Sequence, residues 1–291
     1  MRINQIVVGT DGTEYGTAAV RWAAREAARR KALLRIVHAF DWEWASARYG
    51  TGREYVELAE QRAESVLQEA LDQGRQAAPT VPIETNAVIG NPAPQLLQIA
   101  EDAALIVLGS RGHGGFASLL LGSVSQRVAT HARCPAVVVR GRGDVTNGPI
   151  AVGVDDSEAA EQVLGTAFDA AAARGCTLTV VRTFLPPIPL WIGDIPPVLV
   201  ATPEADAEEQ ARLDALLAPW KQKYTQVPVE TIVSHNSAAA VLVGVSHGAQ
   251  LVVVGSRGRH TIAGALLGST GMQLLHHADC PVLIVRTPAG E

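Results

Sequence analysis

Two glycine and serine patterns hold the residues of this chain best suited to gripping an anion. Gly109-x2-Gly112-x9-Gly122-Ser123 follows the apolar run Ala104–Leu108, and Gly255-x2-Gly258-x9-Gly268-Ser269 follows Gln250–Val254 with the same spacing. Glycine just after a strand brings backbone N–H groups close to a negative group. At Gly109 and Gly112 the expected device is a backbone turning through positive φ. Gly122-Ser123 and Gly268-Ser269 stand at expected helix starts, where N–H groups without helical partners and the positive end of the helix dipole favour phosphate. Arg111 and His113, with Arg257, Arg259 and His260 in the second pattern, add cationic candidates. Asp11 and Asp155 end the first strand of each half. Such a carboxylate either closes a turn or caps a helix, or it hydrogen-bonds a nucleotide or helps hold a metal. The glycines have a plain reading as well, since duplication would preserve purely structural turns in both copies.

Other chemistries lack their signatures. The chain has no Gly-x4-Gly-Lys-Ser/Thr loop, no Gly-x-Gly-x-x-Gly directly after the first strand, and no His-Glu-x-x-His or Gly-x-Ser-x-Gly motif. His276 and His277 are neighbours on an expected helix and diverge by about 100°, a poor arrangement for one metal. Cys134 and Cys280 precede Pro135 and Pro281 at the entry to a final strand, where a buried structural thiol is the expectation.

The elements that must position these loops recur. Cys134-Pro135 and Arg140 return as Cys280-Pro281 and Arg286, 146 residues on, and Val8-Gly9-Thr10-Asp11 is matched by Val152-Gly153-Val154-Asp155. In the first copy, strands are expected at 5–9, 33–39, 82–88, 105–108 and 136–139. Helices are expected at 14–30, 54–73, from 92, and at 122–131. The second copy repeats the scheme with strands at 149–154, 177–183, 227–233, 251–254 and 282–285 and helices at 157–174, 203–220, 238–247 and 268–277. Strands alternating with helices indicate βαβ units. The fold class is therefore α/β, two tandem open five-stranded parallel sheets with helices on both faces. Residues 1–140 and 149–291 are read as the domains, with the glycine-rich, polar stretch 141–148 as linker. Two unlike loops break the repeat. Residues 40–53 carry Trp42, Trp44 and Tyr49, and 184–202 carry Trp191 and five prolines. Each reads as a packed surface lid, or as a wall of the ligand site or of a partner interface.

Composition narrows the setting. The 291 residues are 47% hydrophobic and 18% charged, with a net charge of -5, which favours a folded globular chain and disfavours nucleic-acid binding. No run offers the roughly 20 apolar residues of a membrane span. The amino terminus lacks the features of a secretory signal, and three cysteines are too few for a disulfide scaffold, so a reducing cytosol is expected.

These residues resemble the universal stress protein family in its tandem, two-domain actinobacterial form. The resemblance covers nearly the whole chain. It rests chiefly on the two glycine–serine patterns, with support from Val7–Thr13, Arg21–Ala27, Gly90-Asn91-Pro92-Ala93 and Cys134–Val139. It implies ATP at the carboxyl ends of the strands, often with Mg²⁺. Asp11 and Asp155 would lie beside the nucleoside, and the backbone at Ala39 and Thr183 next to adenine. Gly109, Gly112, Gly122 and Ser123, and Gly255, Gly258, Gly268 and Ser269, would wrap ribose and phosphates. It further implies association through the last strand, made internally by the two halves, with a homodimer of chains in addition. The second half departs from the pattern. Asn236-Ser237-Ala238-Ala239 stands where the first has Gly90-Asn91-Pro92-Ala93, and Asp156 replaces Gly12, adding a negative charge near a polyphosphate.

The leading expectation is an ATP-binding stress-response regulator whose nucleotide orders the glycine loops and lids and so changes the surface shown to a protein partner. Two alternatives stand beside it. One is an enzyme with weak ATPase, self-phosphorylating or nucleotidyl-transfer activity, although no catalytic base or arginine finger is evident. The other is a structural interaction protein that needs no nucleotide.

Overall fold

The computed structural model of the chain describes residues 3–40, 53–112, 120–184, 203–258 and 267–286. In the first half the elements run β1 (Ile3–Gly9), α1 (Glu14–Arg30), β2 (Leu33–Phe40), α2 (Arg53–Ala77), β3 (Ile83–Ile89), α3 (Pro92–Ile99), β4 (Ala103–Gly109), α4 (Ser123–His131) and β5 (Ala136–Val139). The second half repeats the order as β6 (Ile150–Val154), α5 (Ala160–Arg174), β7 (Leu178–Thr183), α6 (Pro203–Lys223), β8 (Val229–Ser234), α7 (Ala238–Ser246), β9 (Leu251–Gly255), α8 (Ser269–His277) and β10 (Val282–Val285).

The two five-stranded parallel halves are not separate sheets. They join edge to edge into one ten-stranded sheet, ordered β3-β2-β1-β4-β5-β10-β9-β6-β7-β8. The junction is antiparallel, with Val138 opposite Val282, Val137 opposite Leu283 and Ala136 opposite Ile284. Each residue of β5 thus faces a residue of β10 such that the repeat's 146-residue shift exchanges the pairs, with Val137 and Leu283 at the centre. That is the self-complementary contact of a two-fold dimer, made within one chain. It also turns the carboxyl edges of the two halves in opposite directions.

Charged groups bolt the same junction on its helical side. Arg140, just after β5, donates to Leu274 O and Leu275 O at the end of α8, and Arg286, just after β10, donates to Ala129 O near the end of α4. A guanidinium there meets carbonyls of the last helical turn, of which Leu274 O also accepts from Ala278 N, and the negative end of the helix dipole. Burial drives the Arg286 pKa down to about 10. Buried Cys134 and Cys280 lie at the foot of the same two strands, and burial pushes the Cys280 thiol up to about 12, which leaves it protonated and unreactive near neutral pH.

The stretch between the halves is fastened on both sides rather than slack. Arg142 donates from its backbone to Asp279 O at 2.8 Å and from its side chain to Ser246 O and Ala249 O, while Asp144 pairs with Arg21 and Arg25 of α1 at 3.1 Å. Gly148 turns there with φ +107, and a side chain at that position would strike Gly248 O.

Among the boundaries that differ from the sequence expectation, three have clear local reasons. Helix α4 begins at Ser123 with Gly122 as its N-cap, because a glycine with extended φ and ψ can cap without a side chain. Helix α5 starts at Ala160 rather than 157, since Ser157 N donates to Asp155 Oδ1 and holds the preceding residues in a turn. Helix α6 runs through Pro219 to Lys223, where Trp220 and Tyr224 stack on Phe168 at 5.7 and 5.2 Å. That packing secures a last turn which local propensity alone would end near the proline.

Candidate functional site

Strand order places β1 beside β4 and β2 on the other side of β1, so the direction of winding reverses between β1 and β4. Parallel sheets leave a crevice at the carboxyl ends of such a pair. The register, Val8 beside Val107, brings the end of β1 level with the end of β4. Asp11 and Gly112, about a hundred residues apart in sequence, meet there, and a Cβ on Gly112 would run into Asp11 Oδ2. The second half repeats the arrangement between β6 and β9, where a Cβ on Gly258 would stand 2.8 Å from Asp155 Oδ2.

Neither aspartate is an isolated charge. Asp11 Oδ1 accepts from Thr13 N at 3.1 Å and Thr13 Oγ1 at 2.7 Å, and Asp155 Oδ1 accepts from Ser157 N at 3.0 Å. Both carboxylates therefore organise the turn into the next helix, the plainer of their two sequence readings, and keep one edge turned toward the glycine loop. Thr13 in turn caps α1 by accepting from Gly16 N.

The glycines work differently from the sequence expectation. None of Gly109, Gly112, Gly122, Gly255, Gly258 or Gly268 has a positive φ. What Gly109 supplies is room, since a Cβ would lie 2.5 Å from Tyr15 O on α1. At Gly255 the nearest atom is Arg257 O at 3.1 Å. Gly109→Ala should accordingly lower stability without any ligand, by roughly 1–3 kcal/mol, and Gly255→Ala by clearly less. Thermal unfolding of the two variants checks this, and equal losses would contradict it.

Each glycine loop closes on itself at its neck. Gly122 N donates to Ser110 O and Gly268 N to Ser256 O, both at 2.8 Å. These two amides are thus consumed internally and are not among the groups open to an anion. The amides that follow are different. The first one engaged inside α4 is that of Gln126, which donates to Gly122 O, and in α8 that of Met272, which donates to Gly268 O. No side chain caps either helix, and among the described residues no hydrogen bond reaches the amides of Ser123, Val124 and Ser125 or of Ser269, Thr270 and Gly271. Ser123 and Ser269 are exposed at the first helical position. Ala39 and Thr183 are half-buried at the ends of β2 and β7.

Several residues that spacing does not reveal hold the first site together. Ser125 donates to Gly109 O at 2.6 Å, tying α4 to the end of β4. Tyr15 accepts from Arg111 Nη1 at 3.3 Å and carries the guanidinium over its ring at 5.5 Å. His38 Nδ1 lies 2.9 Å from Thr10 O, bracing the loop after β1. Ala159 and Gly271 stand at the places of Tyr15 and Ser125 in the second half, which therefore has neither device. The expected extra negative charge of Asp156 is countered internally by Arg182, at 2.6 Å.

Some candidates fall outside the described residues, namely His113, Arg259, His260 and the loops spanning 41–52 and 185–202. Among the described residues no group of three or more His, Cys, Asp and Glu side chains could hold a metal, and no helix is long and apolar enough to cross a membrane.

Comparison with known proteins bears on the family and the fold. The model of the family described as "Universal stress protein family" matches residues 2–140 and again 146–286. Two universal stress proteins of Mycobacterium tuberculosis are 33% identical over 297 residues and 34% identical over 294, each alignment covering 97% of this chain and 96% of the relative. The crystal structure of a universal stress protein from Archaeoglobus fulgidus superimposes with a TM-score of 0.73 at 17% identity, covering 98% of this chain and 99% of the other, a likeness of fold.

Proposed function

The chain belongs to the universal stress protein family, and from that premise we propose that it is an ATP-binding regulatory protein acting in the stress response. The observation that carries the reading is the doubled meeting of an aspartate turn, a glycine loop and an uncapped helix start at a switch point of the sheet. Three successive amides at the first turn of α4, and three at α8, suit the oxygens of a polyphosphate. In this reading Asp11 and Asp155 hold the ribose side, while the backbone at Ala39 and Thr183 borders adenine. Gly112 and Gly258 let the phosphate chain pass close to the loops. The repeats 1–140 and 149–291 each supply one site, and residues 141–148 join them.

Mg²⁺ fits as a passenger of the nucleotide. It binds through one or two carboxylates together with phosphate oxygens and water rather than through an all-protein cage, which suits sites with one turn aspartate in the first half and two in the second. The residues of this chain bind and orient, and no side chain here is assigned a proton or a bond to break. Regulation would come from the glycine loops and from the stretches 40–53 and 184–202 that break the repeat in sequence, through a surface that answers to nucleotide. Because the last strands already pair inside the chain, a homodimer would have to use another face.

Mass spectrometry of small molecules released from freshly purified protein tests the reading, combined with titration by ATP in the presence and absence of Mg²⁺. Adenine nucleotide should be recovered or bound saturably. Protein free of nucleotide that also fails to titrate would refute the proposal.

A further inference from the structure

The turn after the first strand is anchored in opposite ways in the two halves. In the first half Gly12 turns with φ +83, and its vacant Cβ position faces Val66 of α2 at 3.1 Å. The neighbouring places are taken by His38, near the end of β2, and by Ala63, 2% exposed on α2, so that none of these four positions carries a carboxylate or a guanidinium. In the second half the same four places hold Asp156, Arg182, Glu209 and Arg212. The correspondence is structural. The registers Gly9 beside Val37 and Gly153 beside Val181 align His38 with Arg182. Leu34 N donates to Pro82 O as Leu178 N donates to Pro228 O, which aligns the stretches following α2 and α6.

These four charges form one connected cluster. Arg182, 4% exposed, bonds Asp156 Oδ1 at 2.6 Å and also Glu209 Oε1, and Glu209 accepts at its other oxygen from Arg212 at 3.4 Å. The Asp156 side chain is 51% exposed, beside Asp155 in sequence. The guanidinium that balances it is buried beneath and already committed to two carboxylates. A polyanion arriving at the second site therefore meets the exposed side of an acidic turn, held in place by a buried ion network. At the first site it meets glycine. Arg111 there is also steadied on Tyr15, whereas Arg257 has alanine in that place.

Resting on the nucleotide reading above, we infer that the two sites are unequal, and that the Asp156–Arg182–Glu209–Arg212 cluster makes the second the weaker one. The chain carries one nucleotide, in its first half, over a range of concentration in which the second site stays empty. Asp156 and Arg182 are the determinants of that order.

The test is equilibrium dialysis of the full chain with ATP and Mg²⁺, each site being assigned by the charge-bearing variants Ser123→Asp and Ser269→Asp. Wild type should bind one nucleotide tightly and lose it with Ser123→Asp, the second site being about tenfold weaker, the order of repulsion from an exposed carboxylate whose buried guanidinium partner offsets only part of its field. Replacing the four residues by their first-half counterparts (Asp156→Gly, Arg182→His, Glu209→Ala, Arg212→Val) should bring the affinities to within about threefold of each other. Asp156→Gly alone keeps the buried Arg182–Glu209 pair and covers the case in which the fourfold variant does not fold. It should also narrow the gap. Two equal wild-type sites, a tighter second site, or a gap unchanged in Asp156→Gly would overturn the inequality while leaving nucleotide binding intact. Binding at neither site would overturn the nucleotide reading itself.

Discussion

Replacing Glu26 by alanine should destabilise the protein by about 3–5 kcal/mol, the range seen when one member of a buried ion pair is removed. Glu26 sits on α1 with its side chain 3% exposed and receives Arg174 of α5, 4% exposed, at 2.6 Å. Arg30 reaches its other oxygen at 2.6 Å and Arg29 lies at 3.4 Å. Arg174 is the repeat counterpart of Arg30, whereas the counterpart of Glu26 is Ala170. One carboxylate thus serves equivalent arginines from both halves. Without it, the Arg174 charge stays buried with the Ala170 carbonyl as its remaining hydrogen-bond acceptor. Equilibrium denaturation measures the loss, and a loss below about 1 kcal/mol would place the pair at the level of an exposed salt bridge. Replacing both partners with apolar residues, Glu26→Leu with Arg174→Met, should recover most of the stability, because the desolvated charges go together.

Acid should expose the same group. Burial pushes the Glu26 carboxyl upward, but Arg174, Arg30 and Arg29 together outweigh it and hold the pKa below its ordinary value. A carboxyl whose folded pKa is depressed contributes stability that is fully present above its unfolded value and is lost as pH falls through the folded one. Wild type should therefore lose stability more steeply than Glu26→Gln as pH drops below about 4.3, the ordinary glutamate value. Parallel curves would contradict the assignment.

The second large effect concerns binding rather than stability. Ser123→Asp with Ser269→Asp should weaken ATP binding by about a hundredfold or more, since a carboxylate at each helix start competes for the amides offered to phosphate. The same change suits the helix dipole, worth about 0.3–1 kcal/mol per charge, so the melting temperature should hold or rise. Calorimetric titration beside thermal unfolding separates the two. Ser123→Ala with Ser269→Ala removes only the hydroxyls and should cost a few-fold. Undiminished ATP affinity in the aspartate variant would place any nucleotide elsewhere.

Sequence and structure agree most closely where periodicity carried the reading. The alternation of apolar strands with helices marked the elements of both copies, and the identical spacing of the two glycine patterns marked the loops that follow β4 and β9. The internal joining of the halves through their last strands was implied by the family resemblance and is what the structure shows, but its register was not legible. Ala136–Val139 and Val282–Val285 are uniformly apolar, so their composition does not choose a register, and the dyad at Val137 and Leu283 follows from the pairing itself. The glycines were found for a reason that does not hold. Gly109 is required by the approach of Tyr15 O, not by its own φ, and nothing around it announces a neighbour from another element. Glu26, Tyr15 and Ser125 escaped for the same cause, each owing its importance to a partner on another element. Asp156 was visible as a charge, but Arg182, which counters it, is the one charged residue of its strand and lies far from it in sequence.

Hydrogen exchange at the helix starts tests the nucleotide site most directly. The full chain would be followed with and without saturating ATP and Mg²⁺, reading the amides of Ser123, Val124 and Ser125 and of Ser269, Thr270 and Gly271. ATP should slow exchange at the first set, and at the second set only at higher concentration. Exchange unchanged at both sets, in protein shown to bind ATP, would mean that the nucleotide lies away from the switch points.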